Sequence, residues 1–204
     1  MDALIAGYRQ FRALRWPQER ERFEALALHG QQPRAMVVAC SDSRVDPTTV
    51  FSAAPGELFV VRNVANLIPP YAPDAAYHGT SAALEFAVRV LRVPLLVVMG
   101  HGLCGGVRAL LEGPPEGASD FVVPWMRIAE AARGRALRCE PAEARQTACE
   151  RETVRLSLEN AMTFPWVREA VEAGRLALHG CRFDIFTGTL EMLGPDGEFA
   201  PVRA

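Results

Sequence analysis

Apolar and polar positions follow two rhythms along this chain. Short, mostly β-branched or aliphatic runs predict buried strands over 36–39, 58–62 and 95–99. Between and after them, apolar residues at three- and four-residue spacing predict helices over 47–51, 81–92 and 105–111. Such alternation predicts a parallel sheet with helices on its faces, because each crossover must bring the chain back to the same end of the sheet. Asp46-Pro47 marks the first helix start: the carboxylate caps free amides, and proline takes a first-turn position that needs no donor. Gly113-Pro114-Pro115-Glu116-Gly117 breaks the helix that begins after Cys104.

The flanks read differently. Leu4, Tyr8 and Phe11 share a helical stripe over 3–14, with Arg9 and Arg12 off it, and a second helix is predicted over 17–28 through Phe23, Leu26 and Ala27. An apolar face outside the main alternation suits a partner subunit as well as the chain's own core. Residues 120–173 keep helical spacing, broken at Phe164-Pro165-Trp166. Strands over 176–179 with 181–186, and over 189–193, flank a Thr187-Gly188 turn and predict an antiparallel edge. The expected architecture is α/β: a central, mostly parallel sheet of about four parallel strands plus an antiparallel edge strand, flanked by helices. One domain over 1–204 accommodates it, with a helical arm at 1–30, a ligand-bearing core at 31–111 and helical cover with edge strands at 112–204.

Composition narrows the chemistry. The chain has 204 residues, half of them hydrophobic, and a net charge of -2, which argues against nucleic-acid binding or a basic membrane patch. All 22 basic residues are arginine, so a lysine Schiff base and a P-loop lysine are excluded. The N-terminus lacks the pattern of a secretory signal, and no apolar stretch approaches a membrane span, so the expected location is cytoplasmic. Five cysteines without tight spacing do not form a disulfide framework and stay available as thiols.

Two strings stand at strand ends: Cys40-Ser41-Asp42-Ser43-Arg44, and His101-Gly102-Leu103-Cys104 followed by Gly105-Gly106. Neighbouring parallel strands open their C-terminal ends into one crevice, so Cys40, His101 and Cys104 are expected to converge on one zinc ion per chain. Three protein ligands point to a catalytic rather than a structural zinc, because the fourth position is left for water. Asp42 and Arg44 follow Cys40 at two-residue steps, which in an extended segment turns all three to one side. Asp42 then either orients the zinc ligand derived from water or takes the fourth position itself, and a bidentate pair with Arg44 decides against the second. Backbone amides of Gly105 and Gly106 can approach an anion near the metal. His29, His78 and His179 show no ligand spacing, and Cys139, Cys149 and Cys181, with Trp16, Trp125 and Trp166, read as packing.

Together with Arg62-Asn63-Val64-Ala65-Asn66, these strings resemble the signature segments of the β-class carbonic anhydrases in order and spacing. The resemblance implies zinc on Cys40, His101 and Cys104, an Asp42-Arg44 dyad, and hydration of CO₂ to bicarbonate and a proton by zinc-bound hydroxide. It implies a dimer or larger homo-oligomer with sites near the interface. Gly30-Gln31-x-Pro33 and Leu67-x-Pro69-Pro70-Tyr71 are similar to the plant-type branch, where Gln31 matches a substrate-binding position reaching into the partner's site. Phe59, Val64 and Phe86 match positions of the apolar CO₂ pocket, and Gly105 joins them as substrate-binding. Val37 and Phe183 stand where an allosteric branch has a Trp and a Tyr beside Arg62, so no second bicarbonate pocket is expected. Gly102 departs from the family pattern and predicts a looser loop around His101. Two other readings keep the same residues: hydrolysis of carbonyl sulfide or carbon disulfide, and a non-catalytic zinc or thiol redox protein.

Overall fold

The computed structural model describes residues 1–74 and 76–203. Its six-stranded sheet has the order β2-β1-β3-β4-β5-β6. Strands β1 (Ala35–Cys40), β2 (Leu58–Asn63), β3 (Leu95–His101) and β4 (Ala177–Phe183) are parallel. β5 (Leu190–Leu193) runs antiparallel to β4, and β6 (Phe199–Pro201) antiparallel to β5. The sequence reading missed β6. Its strand is three residues long and only partly buried, so the apolar signal is weak.

β1 and β3 are buried almost end to end because both sheet faces are covered. Val37, Ala39, Val97 and Met99 face one apolar cluster, which includes Val107 and Leu110 of α5 (Gly105–Glu112) and Ala132 and Ala136 of α7 (Glu130–Ala136). Met36, Val38, Leu96 and Val98 face the other. There they meet Leu84 of α4 (Gly79–Glu85), Ala87 and Val88 of the wider turn that continues it to Leu91, and Val167 and Ala170 of α9 (Pro165–Glu172). α3 (Pro47–Val50) is capped as the sequence predicts, with Asp46 accepting from the Thr49 amide at 3.1 Å. α6 (Val122–Met126) carries Trp125, which reaches the turn that follows β2.

α8 (Arg145–Ala161) lies closest to the sheet, and two glycines make that approach possible. A Cβ on Gly100 of β3 or on Gly180 of β4 would come within 2.7 Å of a methyl of Val154 on this helix. Glycine here has a packing reason rather than a conformational one.

The N-terminal arm differs from the two helices expected. α1 (Asp2–Gln10), a wider π-helical turn at Phe11–Arg15 and α2 (Trp16–His29) run on without a break. Pro17 does not end the helix, because it falls in the first turn after the π-helical segment, where its missing N–H matters least. No residue of the arm is fully buried, although Leu26 lies against Gly56, and Leu4, Tyr8, Leu14 and Leu28 stay exposed. Phe11, Trp16 and Phe23 instead pack on one another, with ring centroids 5.3 to 6.3 Å apart. None of the helices among the described residues is long and apolar enough to cross a membrane.

Candidate metal centre and active site

β1 ends at Cys40 and β3 at His101, and the two strands pair in parallel from Met36–Leu96 to Ala39–Met99. Their C-terminal ends therefore open on the same side. After His101 the chain turns through Leu103, whose positive φ of 57° swings Cys104 back toward Cys40. One donor atom each of Cys40, His101 and Cys104 lies within 4.8 Å of the others, and all three residues are buried. The two sulfurs are 3.9 Å apart. His101 Nδ1 faces the Gly102 carbonyl at 2.9 Å, and since a carbonyl only accepts, Nδ1 carries the proton. That leaves the Nε2 lone pair free, buried and without a protein partner. A buried orphan of this kind costs free energy unless something meets it. Two sulfurs and one imidazole nitrogen suit zinc, so these residues fit the ion and can hold a metal.

The electrostatics of the cluster are those of a shared proton. A hydrogen bond with Cys104 pulls the Cys40 thiol below its usual range, against the opposing effect of burial. The same contact, reinforced by burial, pushes Cys104 up. Burial alone would lower His101, but the nearby Cys40 sulfur, with the charge it carries, outweighs this and raises it. A metal cation in this position would displace the proton and hold both sulfurs as thiolates.

Asp42 and Arg44 do not lie in an extended segment. The Val45 amide donates to the Asp42 carbonyl at 3.1 Å, closing a turn, and the Arg44 amide donates to Asp42 Oδ1 at 3.0 Å. This local turn brings the guanidinium round to the carboxylate in two bonds of 2.9 and 2.7 Å. The hydrogen bond from Arg44 holds the Asp42 carboxyl well below the ordinary carboxylate range. Arg44 also donates to the Leu103 carbonyl at 3.1 Å, tying the two ligand loops together.

The remaining candidates divide. Val64 stands beside the cluster: a Cβ on Gly106 would come within 2.7 Å of its Cγ1, and Trp125 Nε1 donates to its carbonyl at 2.8 Å. Gly105 has open space where a side chain would project. Phe59 and Phe86 stack on each other at 5.9 Å. Phe59 pairs with Met36, four positions before the Cys40–Asn63 pair, and so lies about 13 Å along the strand from the cluster. It packs with the cluster of Met36 and Val38. Gln31 is exposed and precedes the start of β1, at the end opposite Cys40. Within one chain, then, Val64 and Gly105 join the ligand cluster, while Gln31, Phe59 and Phe86 do not. The loop at Gly102 is not loose, since its amide donates to the Phe183 carbonyl at 2.8 Å and a Cβ would crowd Arg182 at 3.0 Å.

Sequence reasoning gave no positioning role to several residues that build this site. Arg62 donates to the carbonyls of Cys40, Asp42 and Val45 at 2.9, 2.6 and 2.8 Å, and reaches Asp46 at 3.2 Å. One guanidinium thus holds the whole first ligand loop. Asn63 fixes the next turn through Leu67, accepting from its amide and donating to its carbonyl. Glu150 and Gln146 of α8 reach Cys104 from below. An arginine ending an apolar strand and a glutamate on the apolar stripe of α8 were the available signals, because charges at such positions need partners.

The sequence model of the family described as carbonic anhydrase matches residues 35–190. β-carbonic anhydrase 3 of Arabidopsis thaliana is 33% identical over 211 residues, covering all of this chain and 81% of that protein. The chain belongs to the β-carbonic anhydrase family. It is by membership an enzyme, a carbonate dehydratase. Among solved β-carbonic anhydrases, CcaA superposes with a TM-score of 0.92 at 33% identity, covering all of this chain and 92% of that one. A tetrameric enzyme from Sordaria macrospora gives 0.80 at 27% identity, with 99% and 98% covered. The Coccomyxa enzyme, solved with acetazolamide, gives 0.81 at 26% identity, with 98% and 86% covered.

Proposed function

We propose that this carbonic anhydrase reversibly hydrates CO₂ to bicarbonate and a proton, with Cys40, His101 and Cys104 holding one zinc ion per chain. The observation that supports this most directly is the convergence of three donor atoms, one an orphaned imidazole nitrogen, at the open end of two parallel strands. Zinc held there supplies a Lewis acid that makes water a nucleophile near neutral pH. Asp42, kept ionised by Arg44, would accept a hydrogen bond from the attacking water and orient it toward the substrate carbon. Its engagement with Arg44 also keeps the carboxylate from taking the position that water needs. Val64 gives an apolar wall that favours linear, uncharged CO₂, and Gly105 leaves room for it.

Gln31, Phe59 and Phe86 act across a subunit boundary in this reading. They lie away from their own chain's ligands, and the arm at 1–30 exposes an apolar face that its own chain leaves uncovered. A homodimer, or a larger assembly built from it, supplies each site with the partner's Gln31 and aromatic pair. One domain over 1–204 with a projecting arm fits this arrangement, and a reducing cytoplasm fits its free thiols.

Stopped-flow hydration with zinc analysis tests the proposal. Wild type is expected to bind zinc and hydrate CO₂, and Cys104→Ala to lose both. Full activity in Cys104→Ala would overturn the ligand set. A zinc-loaded wild type that turns over carbonyl sulfide but not CO₂ would overturn the substrate.

A further inference from the structure

Glu150 is a carboxylate with 1% of its surface exposed, on the side of α8 that meets the sheet. One oxygen accepts from the Cys104 amide at 3.2 Å and from Gln146 Nε2 at 2.8 Å. The other meets the Arg182 guanidinium at 2.9 Å. Gln146, one helical turn earlier, also donates to the Cys104 carbonyl at 3.1 Å. A single turn of α8 therefore grips Cys104 by both its N–H and its C=O.

We propose that Glu150 and Gln146 are positioning residues that clamp the Cys104 backbone and so fix its sulfur for the metal. The proposal rests on Cys104 being a zinc ligand. Stability alone is a poor reason for such a group. Burying a carboxylate and a guanidinium costs several kcal/mol of solvation, and an apolar pair of similar volume often serves the fold as well or better. Here the charged pair makes a contact that an apolar pair cannot, an acceptor aimed at the amide of a ligand residue. Arg182 also meets Asp184 and Glu191 at 3.4 and 3.3 Å, so its guanidinium is held from several sides where it meets Glu150. Arg182 pairs in register with Gly100, the residue before His101, which ties the clamp to the strand bearing the second ligand. Leu103, with its left-handed backbone, lies between the two ligands of this loop, and the clamp braces the Cys104 peptide from the α8 side against relaxation of that turn.

The test compares Glu150→Ala, Glu150→Gln, Gln146→Ala and Arg135→Ala in the full-length protein. Zinc affinity is read by chelator competition, site geometry by the thiolate charge-transfer bands of the cobalt-loaded protein, and stability by thermal melting. Glu150→Ala is expected to weaken zinc binding by about 10- to 100-fold and to shift the cobalt bands. Glu150→Gln keeps an acceptor for the Cys104 amide and is expected to recover most of that affinity, even where its melting point stays low. Arg135→Ala breaks ion pairs with Glu159 and Glu152 at 2.8 and 3.3 Å and touches neither Cys104 nor Arg182, so it should lower stability and leave zinc affinity unchanged. Should Glu150→Ala not fold, Gln146→Ala removes the carbonyl half of the clamp and is expected to give the same signs at smaller size. Wild-type affinity and cobalt bands in the Glu150→Ala or Gln146→Ala protein, or no recovery in Glu150→Gln, would overturn the clamp. Zinc binding unaffected by Cys104→Ala would instead remove the ligand assignment, and the clamp with it.

Discussion

Arg44 meets Asp42 through two parallel hydrogen bonds, Nε to Oδ1 at 2.9 Å and Nη2 to Oδ2 at 2.7 Å, and the backbone turn between them adds a third to Oδ1 at 3.0 Å. A carboxylate beside a cluster of metal ligands has two fates, and the guanidinium fork selects one. Arg44→Ala is expected to release Asp42 toward the ligands, cutting CO₂ hydration at neutral pH by about 10- to 100-fold with zinc content unchanged. Arg44→Lys keeps the charge and loses the fork, so it should recover only part of the rate. Stopped-flow traces with metal analysis check both, and full activity in Arg44→Ala would remove Arg44 from the site's workings.

The contact of Val154 with Gly180 sets the distance between α8 and the sheet. Gly180→Ala puts a methyl within 2.7 Å of Val154 and is expected to destabilise the protein by about 1–3 kcal/mol. Adding Val154→Ala should relieve part of that loss, so the double variant is less destabilised than the sum of the singles. Urea unfolding of the four proteins measures the coupling, and strict additivity would deny the contact its role.

Asp46 gives a pH dependence. Its carboxyl lies below the ordinary value of 3.8 because the Thr48 hydroxyl, the Thr49 amide and Arg62 all favour the charged form. A depressed folded-state value contributes stability that is fully present above 3.8 and is lost as the pH falls through the folded value. Asp46→Asn removes that contribution, so the stability gap between wild type and variant should close below about pH 4. Denaturation midpoints across that range test it; a gap independent of pH would show that Asp46 acts only as a neutral cap.

Sites completed across a subunit boundary should complement. A Gln31→Ala protein and a Cys104→Ala protein, each impaired alone, are expected to regain about a quarter of wild-type hydration when unfolded together and refolded as mixed dimers. Half of the dimers would then be mixed, each with one intact site. Activity no greater than that of the separate proteins would place Gln31 outside the partner's site.

The sheet core was legible because β1 and β3 are short apolar runs that cannot be surface segments, and the ligand loops because cysteine and histidine stand directly at their ends. Asp46-Pro47 announced α3 through capping chemistry confined to four residues. What escaped was non-local or poorly patterned. Arg62, Gln146 and Glu150 act on residues 16 to 46 positions away, and no local spacing encodes such contacts. β6 is too short to show alternation, and the arm continues through Pro17 because a π-helical turn absorbs the missing donor. The Asp42-Arg44 pair was anticipated from an extended segment and is built instead on a turn closed by the Asp42 carbonyl.

The two cysteines of the metal cluster are 64 residues apart, one closing β1 and the other on the loop after β3, with β2 and α4 between them in the long crossover. No fragment shorter than that crossover can assemble the donor set, so metal uptake has to wait for β1 and β3 to pair. Loop-closure entropy makes that pairing slow relative to helix formation. Zinc added to refolding protein should therefore change the rate of unfolding far more than the rate of folding, and its capture can serve as a clock for the completion of the sheet.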